Sequence, residues 1–110
     1  MNFNVYQKKA NSTSKNTEIF GDKLLYPVLG LSNESGEFLG KIKKVFRDNN
    51  GIIDEKTKKD LGGELGDILW YIAETCTQLD LDLESVAMDN IEKLLSRKAR
   101  GKIGGSGDNR

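Results

Sequence analysis

Two long stretches with apolar residues at helical spacing flank the polar tetrapeptide Asp48-Asn49-Asn50-Gly51. Asparagine, aspartate and glycine readily adopt turn and left-handed backbone conformations, so the chain is predicted to reverse direction here. The sequence contains a single proline and sustains no alternation of apolar and polar residues that would indicate strands. It therefore predicts an all-α fold built on an antiparallel helical hairpin.

Four helices are predicted from the apolar periodicity and the residues at its ends. They are expected at about residues 4–11, 27–47, 55–79 and 83–100. Pro27 suits the first turn of the second helix, and Asp54 is a candidate N-cap for the third. The glycine-rich stretch from Gly101 to Arg110 is expected to be nonhelical.

Length and charge narrow the class of protein. At 110 residues the chain is expected to be one domain, 1–110, in which 1–23 form an N-terminal helix and connection and 101–110 a tail. Seventeen basic residues balance seventeen acidic ones, so no overall field favours nucleic acid or an anionic membrane. No signal peptide or membrane-spanning stretch is recognisable, so we expect a cytoplasmic protein with neither nucleic acid nor membrane as a partner.

The chain has one cysteine and no histidine. Cys76 lies in an apolar run and is expected to pack in the core, not to react. The absence of histidine excludes histidine-based triads, histidine-ligated zinc and the Glu-x-x-His motif of bundle di-iron proteins. Carboxylate chemistry with hard cations remains open.

Two acidic pairs, Glu34-x-x-Glu37 and Glu64-x-x-Asp67, lie symmetrically about Asn50 and Gly51. Residues three apart share one face of a helix. A hairpin at this turn would place Glu34 level with Asp67 and Glu37 level with Glu64. Both pairs flank their apolar stripes on the same rotational side, so the acidic edges point either toward each other or both away. The first arrangement is a four-carboxylate site, and the second is a solvated surface.

The residues around the pairs favour convergence. Glu34 and Glu64 are followed four residues later by apolar side chains and not by bases, as exposed acids often are. Five glycines lie nearby, although glycine within a helix costs up to about 1 kcal/mol relative to alanine. Close approach of two backbones or of a ligand would explain them; alternatively, Gly62 and Gly63 break the helix. The five are Gly36, Gly40, Gly62, Gly63 and Gly66. Clustered anions require protonation, basic partners or bound cations, and Mg²⁺ is the cation that fits best.

Candidate phosphate-binding groups lie on the second and fourth helices. Asn90, Lys93 and Arg97 share one flank of the fourth helix, where they could hold a polyphosphate. Basic residues also favour helix C-termini for dipole reasons. Lys41 and Lys44 on the second helix are further candidates, although such residues are more often solvated.

Trp70 lies opposite the main apolar stripe of the third helix, so a second surface must cover it. A neighbouring subunit is the first choice, with the first helix or a stacked nucleobase as alternatives. Tyr71, beside the carboxylate edge, is a second aromatic within reach of a base.

These residues resemble the MazG-like nucleoside triphosphate pyrophosphohydrolases. The similarity rests on Gly30-Leu31-Ser32-Asn33-Glu34-Ser35-Gly36-Glu37, on Gly63-Glu64-Leu65-Gly66-Asp67-Ile68-Leu69-Trp70-Tyr71 and on Asn90-Ile91-Glu92-Lys93-Leu94, and it spans about residues 24–110. The tail Gly105-Ser106-Gly107-Asp108-Asn109-Arg110 also resembles the ending of small members. Many members carry a further acid where this chain has Asn33, which weakens any assignment of a fifth acidic ligand.

The resemblance implies a four-helix bundle, completed by assembly into a homodimer or homotetramer, that hydrolyses an NTP or dNTP to the monophosphate and pyrophosphate. It implies Mg²⁺, with Mn²⁺ as a substitute, on four acids, and substrate contacts from Asn90, Lys93 and Arg97. The four acids are Glu34, Glu37, Glu64 and Asp67. Glu34 and Glu37 are the expected catalytic carboxylates. Glu37 is the candidate general base because its larger angular offset could direct it at a water molecule. The implied role is nucleotide-pool housecleaning.

A second hypothesis comes from a different class: a helical interaction module, without enzymatic activity, whose acidic edge binds a cation or basic partners. Trp70 and the high content of charged residues are compatible with it. Nucleic-acid binding is disfavoured, because the net charge is neutral and no basic stripe with interleaved aromatics is present.

Overall fold

The computed structural model describes residues 1–110 and contains four α-helices. They are α1 (Phe3–Ser12), α2 (Leu25–Asp48), α3 (Glu55–Gln78) and α4 (Leu83–Ala99). The predicted all-α fold is confirmed, and each helix lies close to its predicted bounds.

Side-chain caps define three of the four helix starts. Asn2, Asp54 and Asp82 each accept a hydrogen bond from a backbone N–H three residues later, at 2.8 to 3.0 Å. Each cap satisfies a donor that lacks a partner within its helix. Between α2 and α3 the chain reverses through Asn50 and Gly51, both in the left-handed region with φ of 53° and 75°.

The hairpin of α2 and α3 forms one half of the molecule, while α1 packs against α3 and α4. The buried cluster between α1, α3 and α4 consists of Ala10, Ala73, Cys76 and Leu83. Cys76 is a buried free thiol, so its predicted core position is confirmed. Gln7 ties α4 to α1, because its Oε1 accepts from the Leu83 N–H at 2.8 Å and its Nε2 donates to the Leu81 carbonyl at 2.9 Å.

Trp70 is half-buried and packs against this cluster. Its indole Nε1 donates to Thr13 Oγ1, at the end of α1, over 2.9 Å. The first helix therefore supplies the packing surface that the sequence assigned first to a neighbouring subunit. The indole N–H thus has a hydrogen-bond acceptor at its solvent-facing edge, as is common for tryptophan.

The core of a single chain is small. Nine of the 110 residues are buried, and large apolar side chains remain exposed on α2 and α4, among them Leu39, Phe46, Ile91 and Leu95. Much of the apolar surface that the helical stripes predict is thus not covered within one chain. No helix combines the length and apolar character needed to cross a lipid bilayer.

Candidate metal centre

The α2–α3 hairpin brings three acidic side chains together. Carboxylate oxygens of Glu34, Glu37 and Glu64 all lie within 4.8 Å of one another. Glu34 and Glu37 are one turn apart on α2, and Glu64 projects from the antiparallel α3. Of the two arrangements that the sequence left open, the acidic edges adopt the convergent one.

Asp67 lies at the margin of this cluster. It is outside the group whose oxygens approach within 4.8 Å. Its charge nevertheless contributes to the raised pKa of Glu34, and the two residues line the same surface concavity. Asp67 thus lies beside Glu34, but it does not belong to the group of converging carboxylates.

The electrostatic surroundings of Glu34 and Glu64 shift their pKa values in opposite directions. Burial, followed by the charges of Glu37, Asp67 and Glu64, raises the pKa of the Glu34 carboxyl. The pKa of Glu64 is lowered, mainly by its hydrogen bond with Lys41, whose Nζ lies 2.8 Å from Glu64 Oε1. Lys41 could have paired with Glu37 one turn away, but it bridges the two helices.

Two oxygens of the cluster have no partner in the protein. Glu34 Oε2 and Glu64 Oε2 are buried and accept no hydrogen bond. Buried polar atoms are rarely left unpaired, because the desolvation cost is about 1 to 3 kcal/mol each. Several converging carboxylate oxygens with free lone pairs form a donor set suited to Mg²⁺ or Mn²⁺. The residues present therefore fit a divalent cation.

An aromatic concavity adjoins the carboxylates. It measures about 350 Å³ and is lined by Trp70 and Tyr71 together with Glu34 and Asp67. The two rings meet edge to face, with centroids 4.9 Å apart. Apolar ring faces beside carboxylates are suited to an aromatic group that carries phosphates.

Tyr71 is fixed from the α2 side. An added Cβ on Gly30 would lie 2.1 Å from Tyr71 Cε1, so only glycine allows the ring to lie against this helix. The Tyr26 ring lies beside it, with centroids 6.2 Å apart. Interaction with the Tyr26 hydroxyl, together with burial, raises the pKa of Tyr71 to about 12.

Lys44 lies on the other side of the carboxylates, toward the hairpin turn. With Lys41 it lines a surface hollow of about 340 Å³. The site is thus flanked by aromatic rings at one end and by two ammonium groups at the other.

The predicted substrate contacts on α4 are not brought to this cluster. No hydrogen bond or ion pair joins Asn90, Lys93 or Arg97 to the carboxylates. Lys93 and Arg97 instead contact Asp108 in the C-terminal tail. Asn90 is exposed.

Two of the explanations offered for the five glycines, a helix break and the close approach of another backbone, do not hold within one chain, while the approach of a ligand stays a prediction. The helices run through them without a break, and a Cβ at any of the five would meet nothing within 4 Å. The close approach occurs at Gly30, one turn before Glu34. The five glycines leave open space along the hairpin.

Sequence reasoning underestimated Lys41 and missed Asp108 and Glu74. Lys41 was considered only as a further, more often solvated candidate, although its place between Glu37 and Lys44 on α2 was a signal. Asp108 contacts α4 through a folded-back tail, and no spacing rule indicates such a contact. Glu74 is 2% exposed on α3, where its position one turn after Trp70 could have indicated burial.

Comparison with known proteins identifies the family of the chain. The profile of the MazG nucleotide pyrophosphohydrolase domain matches residues 23–101. The chain is also 49% identical over 87 residues to the Gene 37 protein of Mycobacterium phage L5, an alignment that covers 79% of this chain and 76% of that protein. No solved structure matches the chain. The matched region contains the four acids and the helices that carry them, and the chain belongs to the MazG nucleotide pyrophosphohydrolase family.

Proposed function

We propose that this protein hydrolyses a nucleoside or deoxynucleoside triphosphate to the monophosphate and pyrophosphate, in nucleotide-pool housecleaning. The convergence of Glu34, Glu37 and Glu64 within 4.8 Å, with two buried oxygens that lack partners, is the observation that carries the proposal. Membership of the MazG family supports the same reaction class. The adjoining aromatic concavity supports a nucleotide as the substrate.

Mg²⁺, or Mn²⁺ in its place, would be held by Glu34, Glu37 and Glu64, with Asp67 beside them. When bound, it supplies Lewis-acid stabilisation of the charge that develops on the phosphates. Such a cation also satisfies the unpaired oxygens of Glu34 and Glu64.

The side chains around the carboxylates would bind and orient the substrate. Trp70 and Tyr71 offer ring faces to the base, while Lys41 and Lys44 place positive charge on the opposite side of the cluster. Glu37 is the exposed member of the three converging acids, so water can reach it. It would accept the proton of the water that attacks the phosphate chain.

The active form is proposed to be a homodimer or homotetramer. Asn90, Lys93 and Arg97 are not joined to the carboxylates of their own chain, and α4 exposes Met88, Ile91 and Leu95. A second copy would cover this apolar face. It would also provide a route by which α4 residues reach a substrate held by the hairpin.

A panel of NTPs and dNTPs, assayed for pyrophosphate release with Mg²⁺ and Mn²⁺, tests the reaction and the substrate together. Glu64→Gln keeps an oxygen that can accept from Lys41 but removes the charge. We expect it to reduce turnover by about a hundredfold or more and to reduce Mn²⁺ binding measured by electron paramagnetic resonance. Glu18→Gln removes an exposed acid outside the helices and should match the wild type. Absence of turnover across the panel, or full activity of Glu64→Gln, contradicts the proposal.

A further inference from the structure

The segment from Gly101 to Arg110 folds back on the last turns of α4. The Lys102 N–H donates to the Arg97 carbonyl at 2.6 Å. Arg110 donates to the carbonyls of Lys102 and Ile103, each at 3.2 Å, and to that of Gly107. Gly105 and Gly107 have φ of 93° and 83°, a region that favours glycine. These bonds give the tail a definite path over the helix.

That path brings one carboxylate oxygen between two cations of α4. Asp108 Oδ1 lies 3.3 Å from Lys93 Nζ and 3.3 Å from Arg97 Nη2. The same Arg97 nitrogen also donates to the Asp108 backbone carbonyl at 2.8 Å. An oxygen shared by an ammonium and a guanidinium is the arrangement in which these groups hold a phosphate oxygen.

The Arg97 side chain of this contact is buried, whereas the Asp108 carboxylate is exposed. Arg97 is 3% exposed and its Nε is buried without a hydrogen-bond partner, so the guanidinium retains an unused donor. The Asp108 side chain is 84% exposed. Exposed carboxylates contribute little to an ion pair, because water and salt compete for them. Asp108 is therefore the more easily exchanged partner of this contact.

We propose that Asp108 is an internal competitor for the anion site of Lys93 and Arg97, so that the tail is a latch displaced by a phosphate chain. This inference rests on the proposed function only in taking these two residues as phosphate ligands. It adds that the site is occupied by the protein's own carboxylate before substrate arrives. Because the two anions compete for one site, the latch lowers the apparent affinity of that site for a phosphate chain.

Binding of inorganic pyrophosphate to the full chain, measured by calorimetry in EDTA, isolates this site from the carboxylate cluster. Asp108→Asn should bind pyrophosphate about fivefold more tightly than the wild type, the upper range for an exposed ion pair. Asp80→Asn makes the same charge change at an exposed turn outside the latch and should leave the affinity unchanged. In the Asp108→Asn protein, adding Lys93→Gln should reverse the gain, and this half-buried lysine can be replaced without opening the core.

The opposite role for Asp108 predicts the opposite result. If Asp108 positions Arg97 for phosphate, Asp108→Asn weakens pyrophosphate binding, and that outcome overturns the latch. Equal affinity of Asp108→Asn and wild type also overturns it. Nucleotide turnover is measured separately with Mg²⁺, so a protein that shows the pyrophosphate effect without turnover retains the latch and loses the proposed function. A protein that turns over nucleotide but shows no effect of Asp108→Asn on pyrophosphate binding retains the proposed function and loses the latch.

Discussion

Glu34 and Glu74 resemble each other chemically but differ in their surroundings. Glu34 and Glu74 each have a buried carboxylate oxygen without a partner, and burial is the main cause of the raised pKa of both. Around Glu34, other carboxylates add to the effect, and their converging oxygens form the donor set proposed for a cation. Around Glu74, a hydrogen bond with Ser14 partly offsets the burial, and no other charge contributes. Burial alone therefore does not make a site; converging donors do.

Replacing Glu74 by glutamine should stabilise the protein at neutral pH. Because the pKa of Glu74 is raised in the folded state, the folded protein binds this proton more tightly than the unfolded chain. The associated stability is complete below the unfolded pKa and is lost as the pH rises through the folded pKa. Glu74→Gln avoids that loss, so we expect a gain of about 1 kcal/mol at pH 7 and a smaller one at pH 4.

Urea unfolding of Glu74→Gln and wild type at both pH values measures the difference. Glu18→Gln, at an exposed position, controls for the loss of one negative charge. A wild type that is as stable as Glu74→Gln at pH 7 would contradict this prediction.

At the scale of elements, the α2–α3 hairpin creates the site by holding two helices in a fixed register. Lys41 of α2 bridges to Glu64 of α3 at 2.8 Å near the hairpin turn. Further along, Tyr71 of α3 lies against Gly30 of α2, where a Cβ would come within 2.1 Å of the ring. Glu64 takes part in the first contact, and Glu34, Glu37 and Asp67 lie between the two. Loosening either contact should therefore change how the acids face each other.

Alanine substitutions at two glycines of α2 should have opposite effects. Gly30→Ala forces the Tyr71 ring to move, so we expect a loss of about 1 to 3 kcal/mol in the free energy of unfolding. Gly40→Ala meets nothing within 4 Å in one chain and removes a poor helix former, so it should gain up to about 1 kcal/mol. Thermal unfolding compares the two, and tyrosine fluorescence reports the displaced ring. Equal stability of the two variants would refute the proposed packing of Tyr71 on Gly30.

At the scale of the whole molecule, local signals explain what could be predicted. Asp54 and Asp82 cap α3 and α4 as helix-start rules indicate, and Asn50 and Gly51 reverse the chain as their composition indicates. The symmetric placement of the acidic pairs about this turn then favoured their convergence, which the structure shows for Glu34, Glu37 and Glu64.

Contacts between distant segments could not be predicted in the same way. Two examples are the packing of α1 on Trp70 and the ion pair between Asp108 and Arg97. No sequence periodicity relates the residues that these contacts join. A close contact between the two helices was expected at the five glycines and lies instead at Gly30, because a helix pattern does not show which face another element covers. Tertiary packing determines these contacts between distant segments, and local sequence patterns carry little information about it.

The small core leads to a prediction about assembly. Only nine residues are buried in one chain, and the apolar side chains of α4 remain uncovered. We expect the same apolar face of a second copy to cover them, as in a symmetric dimer. The double substitution Ile91→Gln and Leu95→Gln should shift the protein toward monomer in sedimentation while far-ultraviolet circular dichroism retains its helical signal. Glu92→Gln with Lys98→Gln changes exposed polar neighbours on the same helix and should leave the oligomer intact.

If α4 residues act on a partner's substrate, the apolar double variant also loses turnover at concentrations where it is monomeric. A wild type that sediments only as monomer at micromolar concentration would contradict this account of α4.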